Sequence, residues 1–88
     1  ADFEELSAVV DAVDPMQAMH AAIVKSAKLS ERESEVLALA LKGRTNERIA
    51  RELCIAKSTA DTHLRRIYAK AKVHSRQELL DYGEKLVR

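Results

Sequence analysis

Glycine and proline are nearly missing from this chain: two and one, respectively, in 88 residues. Long β-branched runs are absent too, while Ala, Leu, Glu, Lys and Arg dominate, so an all-α fold is expected. A single cysteine, Cys54, excludes an internal disulfide framework and fits a reducing compartment. No apolar run approaches the roughly 18 residues of a membrane span and no signal peptide is visible, so this segment is expected to be cytoplasmic with no membrane contact. No paired carboxylates, no nucleophile with its base and no glycine-rich phosphate loop stand out, and an enzyme is not expected. Cys54, His63 and His74 lack the paired spacing of a zinc site, so no metal or other cofactor is expected.

Charge is plentiful but unevenly placed. The formal net charge is +1. Residues 1–24 carry five acids (Asp2, Glu4, Glu5, Asp11, Asp14) and no Lys or Arg. Residues 25–88 hold all fifteen Lys and Arg with nine acids, and within 57–76 six bases face one acid, Asp61. A basic segment on one face is the footprint of a polyanionic partner. Eighty-eight residues make one small domain with an appendage. The chain begins at Ala1, and we read it as the C-terminal piece of a larger protein.

Apolar residues at Phe3, Leu6, Val9, Val10 and Val13 predict a helix over 2–13. Asp14-Pro15 suits the cap and first turn of a second helix bearing Met16, Met19 and Ile23 on one stripe. These stripes need the main domain, an upstream domain or a second subunit to cover them. The domain boundary falls at Lys25–Lys28, giving an appendage over 1–28 and a main domain over 29–88. In that domain Ser30 and Glu33 form a capping box ahead of Val36, Leu37, Ala40 and Leu41. Glu33 and Glu35 read as capping and surface residues, and His20 as surface. Gly43 ends this helix. Thr45 caps the next, with Ile49, Ala50 and Leu53 inside. Cys54-Ile55-Ala56 is a turn. A longer helix then buries Ala60, Leu64, Ile67, Tyr68 and Ala71. A last helix starts at Ser75, with a capping box to Glu78, and carries Leu79, Leu80, Leu86 and Val87.

A short helix, a tight turn and a longer helix with a polar, basic outer face is the layout of a helix-turn-helix. Its second helix enters the DNA major groove, where each base pair displays a distinct donor and acceptor pattern. Residues 58, 61, 62 and 65 share one stripe. Arg65 can donate twice to guanine O6 and N7, Asp61 can accept from cytosine N4, and Thr62 can touch a thymine methyl. Asp61 and Arg65, at i, i+4, can pair across one turn. Lys57, Ser58 and Thr59 stand at the helix N-terminus, where backbone N–H groups favour phosphate. Arg66, Lys70 and Lys72 extend the basic track. His63 faces nearer the core and is expected to be packed with one nitrogen satisfied.

Four blocks occur in order: Leu29-Ser30-x-Arg32-Glu33-x-Glu35-Val36-Leu37, Gly43-x-Thr45-Asn46-x-x-Ile49-Ala50-x-x-Leu53, Ser58-Thr59-x-x-Thr62-His63-x-x-x-Ile67 and Val73-x-Ser75-Arg76-x-Glu78-Leu79. Together they resemble the LuxR/NarL/GerE-type C-terminal DNA-binding domain over residues 29–82. The resemblance implies a four-helix domain that binds double-stranded DNA as a homodimer and regulates transcription by acting on RNA polymerase. It also implies an upstream sensor or receiver region. By resemblance Asp61, Thr62 and Arg65 face bases, Arg51 contacts phosphate, and the last helix dimerises; with Leu79 and Leu80 in the core, Tyr82 and Leu86 are left as candidates for the two-fold contact.

The departures from the pattern have consequences. Ala56 stands where a capping Ser is common, at a cost of about 1 kcal/mol. Ala71-Lys72 replaces Leu-Gly, so either Lys72 takes a left-handed conformation or the turn is rearranged. Asp61 stands where Lys is frequent, so base preference differs from that of relatives with Lys there. Two other readings fit part of the pattern. Region 4 of a sigma factor shares the Leu-x-x-Arg-Glu opening but not the Val73-x-Ser75-Arg76 block. A protein-interaction module with a degenerate helix-turn-helix fits Asp61, Ala56 and the modest net charge.

Overall fold

A computed structural model describes residues 15–88. The helix expected over 2–13 and the Asp14 cap lie outside the described residues. All regular structure among these is helical: α1 Pro15–Ala27, α2 Glu31–Leu41, α3 Asn46–Leu53, α4 Lys57–Ala71 and α5 Arg76–Val87.

The helix starts follow from short polar side chains. Ser30 Oγ accepts from the Glu33 N–H at 3.2 Å, and Glu33 Oε1 accepts from the Ser30 N–H at 2.9 Å, so the capping box is complete. Thr45 Oγ1 accepts from the Arg48 N–H. Ser75 Oγ accepts from the Glu78 N–H, but Glu78 returns its carboxylate to the N–H of His74 and not to that of Ser75. Only half of the second expected box forms. Ala56 precedes α4 with no side-chain cap.

The helix ends share one device. After α1, α2, α3 and α4 a left-handed residue turns the chain, at Lys28 (φ 55°), Gly43 (82°), Cys54 (56°) and Lys72 (60°). The next N–H then reaches back to a free carbonyl: Leu29 to Val24, Arg44 to Leu39, Ile55 to Ala50 and Val73 to Tyr68, at 2.9–3.1 Å. Gly43 does this without steric cost. The other three meet Cβ crowding of about 1 kcal/mol each. Of the two turns open at Lys72, the left-handed one forms.

The core draws on every helix. Met19, Ile23 and Ala27 come from α1, Val36, Leu37, Ala40 and Leu41 from α2, and Ile49 and Ala50 from α3. Ala60, Leu64, Ile67 and Ala71 come from α4, and Leu79 from α5. The stripe of α1 is therefore covered by the main body, and no break in packing falls at residue 28. This helix lies chiefly on α5 and also touches α2 and α4. Gly83 lets it approach, because a Cβ there would overlap Met19 and Ile23. Two polar contacts fasten α1. Ser26 Oγ and Tyr82 Oη hydrogen-bond at 2.6 Å. The His20 Nε2–H donates to the Ser34 carbonyl at 2.8 Å, with Ser34 Oγ at 3.1 Å, so His20 is half-buried and not surface. Tyr82 is half-buried against α1, whereas Leu86 and Val87 are 40% and 44% exposed.

Candidate nucleic-acid interface

Helices α3 and α4 pack together across the Cys54–Ala56 turn. Leu64 and Ile67 turn α4 inward, and the 3.6-residue period puts Lys57, Ser58, Arg65 and Ala69 outside. Thr59, Arg66 and Lys72 are exposed beside them, as is Arg51 near the end of α3. The side chains of Arg51, Arg65, Arg66 and Lys72 have no hydrogen bond or ion pair among the described residues. Asp61 and Thr62 are half-buried in the same face. The Thr62 hydroxyl donates to the Ser58 carbonyl at 2.9 Å. Its proton is occupied, which leaves its lone pairs and its methyl for a partner.

The surroundings of Asp61 differ from the possible pair with Arg65. Asp61 Oδ1 accepts from Asn46 Nδ2 at 2.7 Å, and Oδ2 lies 3.7 Å from Lys57 Nζ. Asn46 in turn accepts at Oδ1 from Arg76 Nη2 at 2.9 Å, while Arg76 Nη1 donates to the Ala40 carbonyl at 3.2 Å. A helical side chain leans toward the N-terminus of its helix, and Asp61 thus leans toward Lys57 and α3, away from Arg65. Asn46 and Arg76 are the neighbours that reading by helix stripe missed. They fall inside the second and fourth sequence blocks, and that was their only signal.

Lys70 has a partner that the helix stripe did not predict. Its ammonium lies 2.6 Å from Glu33 Oε1, on the α2 side of α4 and not on the basic track. Glu33 is 3% exposed, not a surface residue. Burial pushes its carboxyl up. The Lys70 hydrogen bond and charge, with the Ser30 N–H and hydroxyl, outweigh burial and hold it below the usual glutamate range. His63 is half-buried as expected, but its Nδ1 is buried with no hydrogen-bond partner. Among the described residues no group of His, Cys, Asp and Glu is placed to hold a metal ion, and no helix is long and apolar enough to cross a membrane.

Two helices at a three-residue turn, the second showing unpaired arginines and an uncapped N-terminus, define a helix-turn-helix protein. The sequence model of GerE, bacterial regulatory proteins of the luxR family, matches residues 27–82, and the chain belongs to that family. This is a family of DNA-binding transcription regulators and not of enzymes. No solved structure matches the chain significantly.

Proposed function

We propose that this domain binds duplex DNA sequence-specifically, with α4 in the major groove, and regulates transcription as a homodimer. The observation that carries this reading is Arg65, exposed at mid-helix on the outer stripe of α4 with its guanidinium unpaired. Arg65 donates to guanine, Thr62 offers its methyl to thymine, and Asp61 accepts from a base amino group. Arg51, Lys57, Ser58, Thr59, Arg66 and Lys72 hold phosphates. The uncapped first turn of α4 supports the Lys57 and Ser58 assignment, because the open N–H groups there suit an anion, whereas the Thr59 N–H already donates to the Ala56 carbonyl and Thr59 would act through its hydroxyl. Lys70 leaves the phosphate set, because it is hydrogen-bonded to the buried Glu33 at 2.6 Å, whereas Lys57, a looser 3.7 Å from Asp61 and more exposed, stays in it.

Leu86, with Val87 beside it, is the proposed two-fold contact, since both stay exposed when α1 covers Tyr82. The packed unit proposed for DNA binding runs from residue 15 to 88, since α1 shares its core. An upstream sensor or receiver region, contact with RNA polymerase and a cytoplasmic location complete the proposal.

The test is the salt dependence of duplex binding. Each phosphate neutralised steepens the log–log slope of affinity against salt by about 0.9. Arg51→Ala should weaken binding to all sequences alike and flatten the slope by about that amount. An unchanged slope in the folded variant removes Arg51 from the set, and no salt-dependent binding to any duplex refutes DNA binding itself.

A further inference from the structure

A carboxylate on a groove-facing helix is an awkward group. It is repelled by phosphate, and left mobile it can fold onto a cation one turn away on either side, Lys57 before it or Arg65 after it. Asp61 meets Lys57 at 3.7 Å through one oxygen, and the other is held differently. A neighbouring helix grips it, and the grip is anchored two helices away.

The polarity of this chain of bonds has one solution. A guanidinium only donates, so the Asn46 atom facing Arg76 must be the amide oxygen. The Asn46 amino group then necessarily faces Asp61, which as a carboxylate only accepts. Arg76 is itself fixed by its second bond, to the Ala40 carbonyl at the end of α2. Each link thus sets the orientation of the next, from the first residue of α5 through the first residue of α3 to the middle turns of α4. An amide held between a cation and an anion is polarised by both, which strengthens both bonds.

We propose that Asn46 and Arg76 are positioning residues for base recognition: they hold Asp61 as a fixed acceptor on the groove face of α4 and keep it from neutralising Arg65. This inference rests on the proposed placement of α4 in the major groove. The second oxygen of Asp61, 3.7 Å from Lys57 on a side chain that is about one-third exposed, is the atom presented to a base. It takes an amino donor, cytosine N4 being the base edge a carboxylate suits best. Arg65, unpaired as a result, keeps all its donors for guanine. Asp61 and Arg65 then read two positions independently, where a mutual ion pair would have tied them together.

The experiment is selection of bound duplexes from a randomised library by the full chain and its variants. Arg65→Ala identifies the position read by Arg65, and Asp61→Ala the position read by Asp61. Asn46→Ala should lower the preference at the Asp61 position about tenfold, within the range one good base contact supplies. It should also weaken the Arg65 position, because the released carboxylate can then pair with Arg65, while random-duplex affinity stays near wild type. In an Asp61→Ala background, Asn46→Ala should alter the selected motif no further. Asn46→Asp guards against a simple loss of folding. It keeps an acceptor for Arg76 and places an acid where the first turn of α3 favours one, yet presents a repelling oxygen to Asp61. It too should lose the Asp61 preference while its circular dichroism and thermal midpoint stay near wild type.

A wild-type motif from either folded Asn46 variant overturns the proposal. So does an Asn46→Ala effect that persists without Asp61. If Asp61→Ala leaves the motif intact while Arg65→Ala changes it, the positioning role is overturned and DNA recognition stands. If the wild-type chain binds no duplex, the underlying reading fails with it.

Discussion

At the residue scale, Glu33 combines a local duty with a long-range one. It completes the cap of α2 and holds Lys70, 37 positions further on, at 2.6 Å. The cap was legible, because Ser and Glu three apart before an apolar run is a local pattern. The burial and the partner were not, because a pair so distant in sequence leaves no periodic trace. The folded-state pKa of Glu33 lies below its unfolded value. Its ionised form therefore stabilises the fold above the ordinary glutamate range, and that contribution disappears as pH falls through the folded value. Glu33→Gln should cost about 1–3 kcal/mol at pH 7, since a neutral amide replaces the buried charged acceptor shared by the Ser30 N–H and Lys70. The gap between variant and wild type should close on acidification. Thermal unfolding of both proteins from pH 7 to pH 3 measures this, and parallel curves would exclude the ion pair as a source of stability.

At the element scale, helix beginnings were easier to read than helix ends. Ser30, Thr45 and Ser75 cap as their side chains dictate. Only Gly43 marks a helix end in the sequence. Lys28, Cys54 and Lys72 adopt the same left-handed turn because packing of the flanking helices demands it, overriding a modest local preference. The packing of α1 on α5 was also hidden: a stripe of Met and Ile announces that it will be covered, not by what. Gly83 gives that contact a test with a sign. On a bare helix Gly→Ala stabilises by about 1 kcal/mol. Under Met19 and Ile23 the added methyl overpacks the contact, at about 1–3 kcal/mol. Gly83→Ala should therefore lower stability in urea titration. A gain would mean that α1 does not sit on α5.

At the scale of the whole molecule, the fold class and the helix-turn-helix were legible because four separated blocks occur in order at family-like spacing. The fine structure of the interface was not, since the Asp61, Asn46 and Arg76 chain joins three helices and belongs to none of their periodicities. The proposed two-fold contact rests on what folding leaves uncovered. Leu86 and Val87 remain outside after α1 has taken Tyr82. Leu86→Glu should leave monomer stability within about 0.5 kcal/mol, as an exposed site allows. On a palindromic duplex it should shift sedimentation from two chains per duplex toward one. Unaltered two-to-one binding would move the dimer contact elsewhere. The closure of α1 onto α5 also has a bearing on synthesis. The ribosome delivers α1 first among the described helices and α5 last. At about 5–20 residues per second, the apolar stripe of α1 waits several seconds for its principal partner. During that interval Met19 and Ile23 are the surface most open to chaperones, and to neighbouring nascent chains.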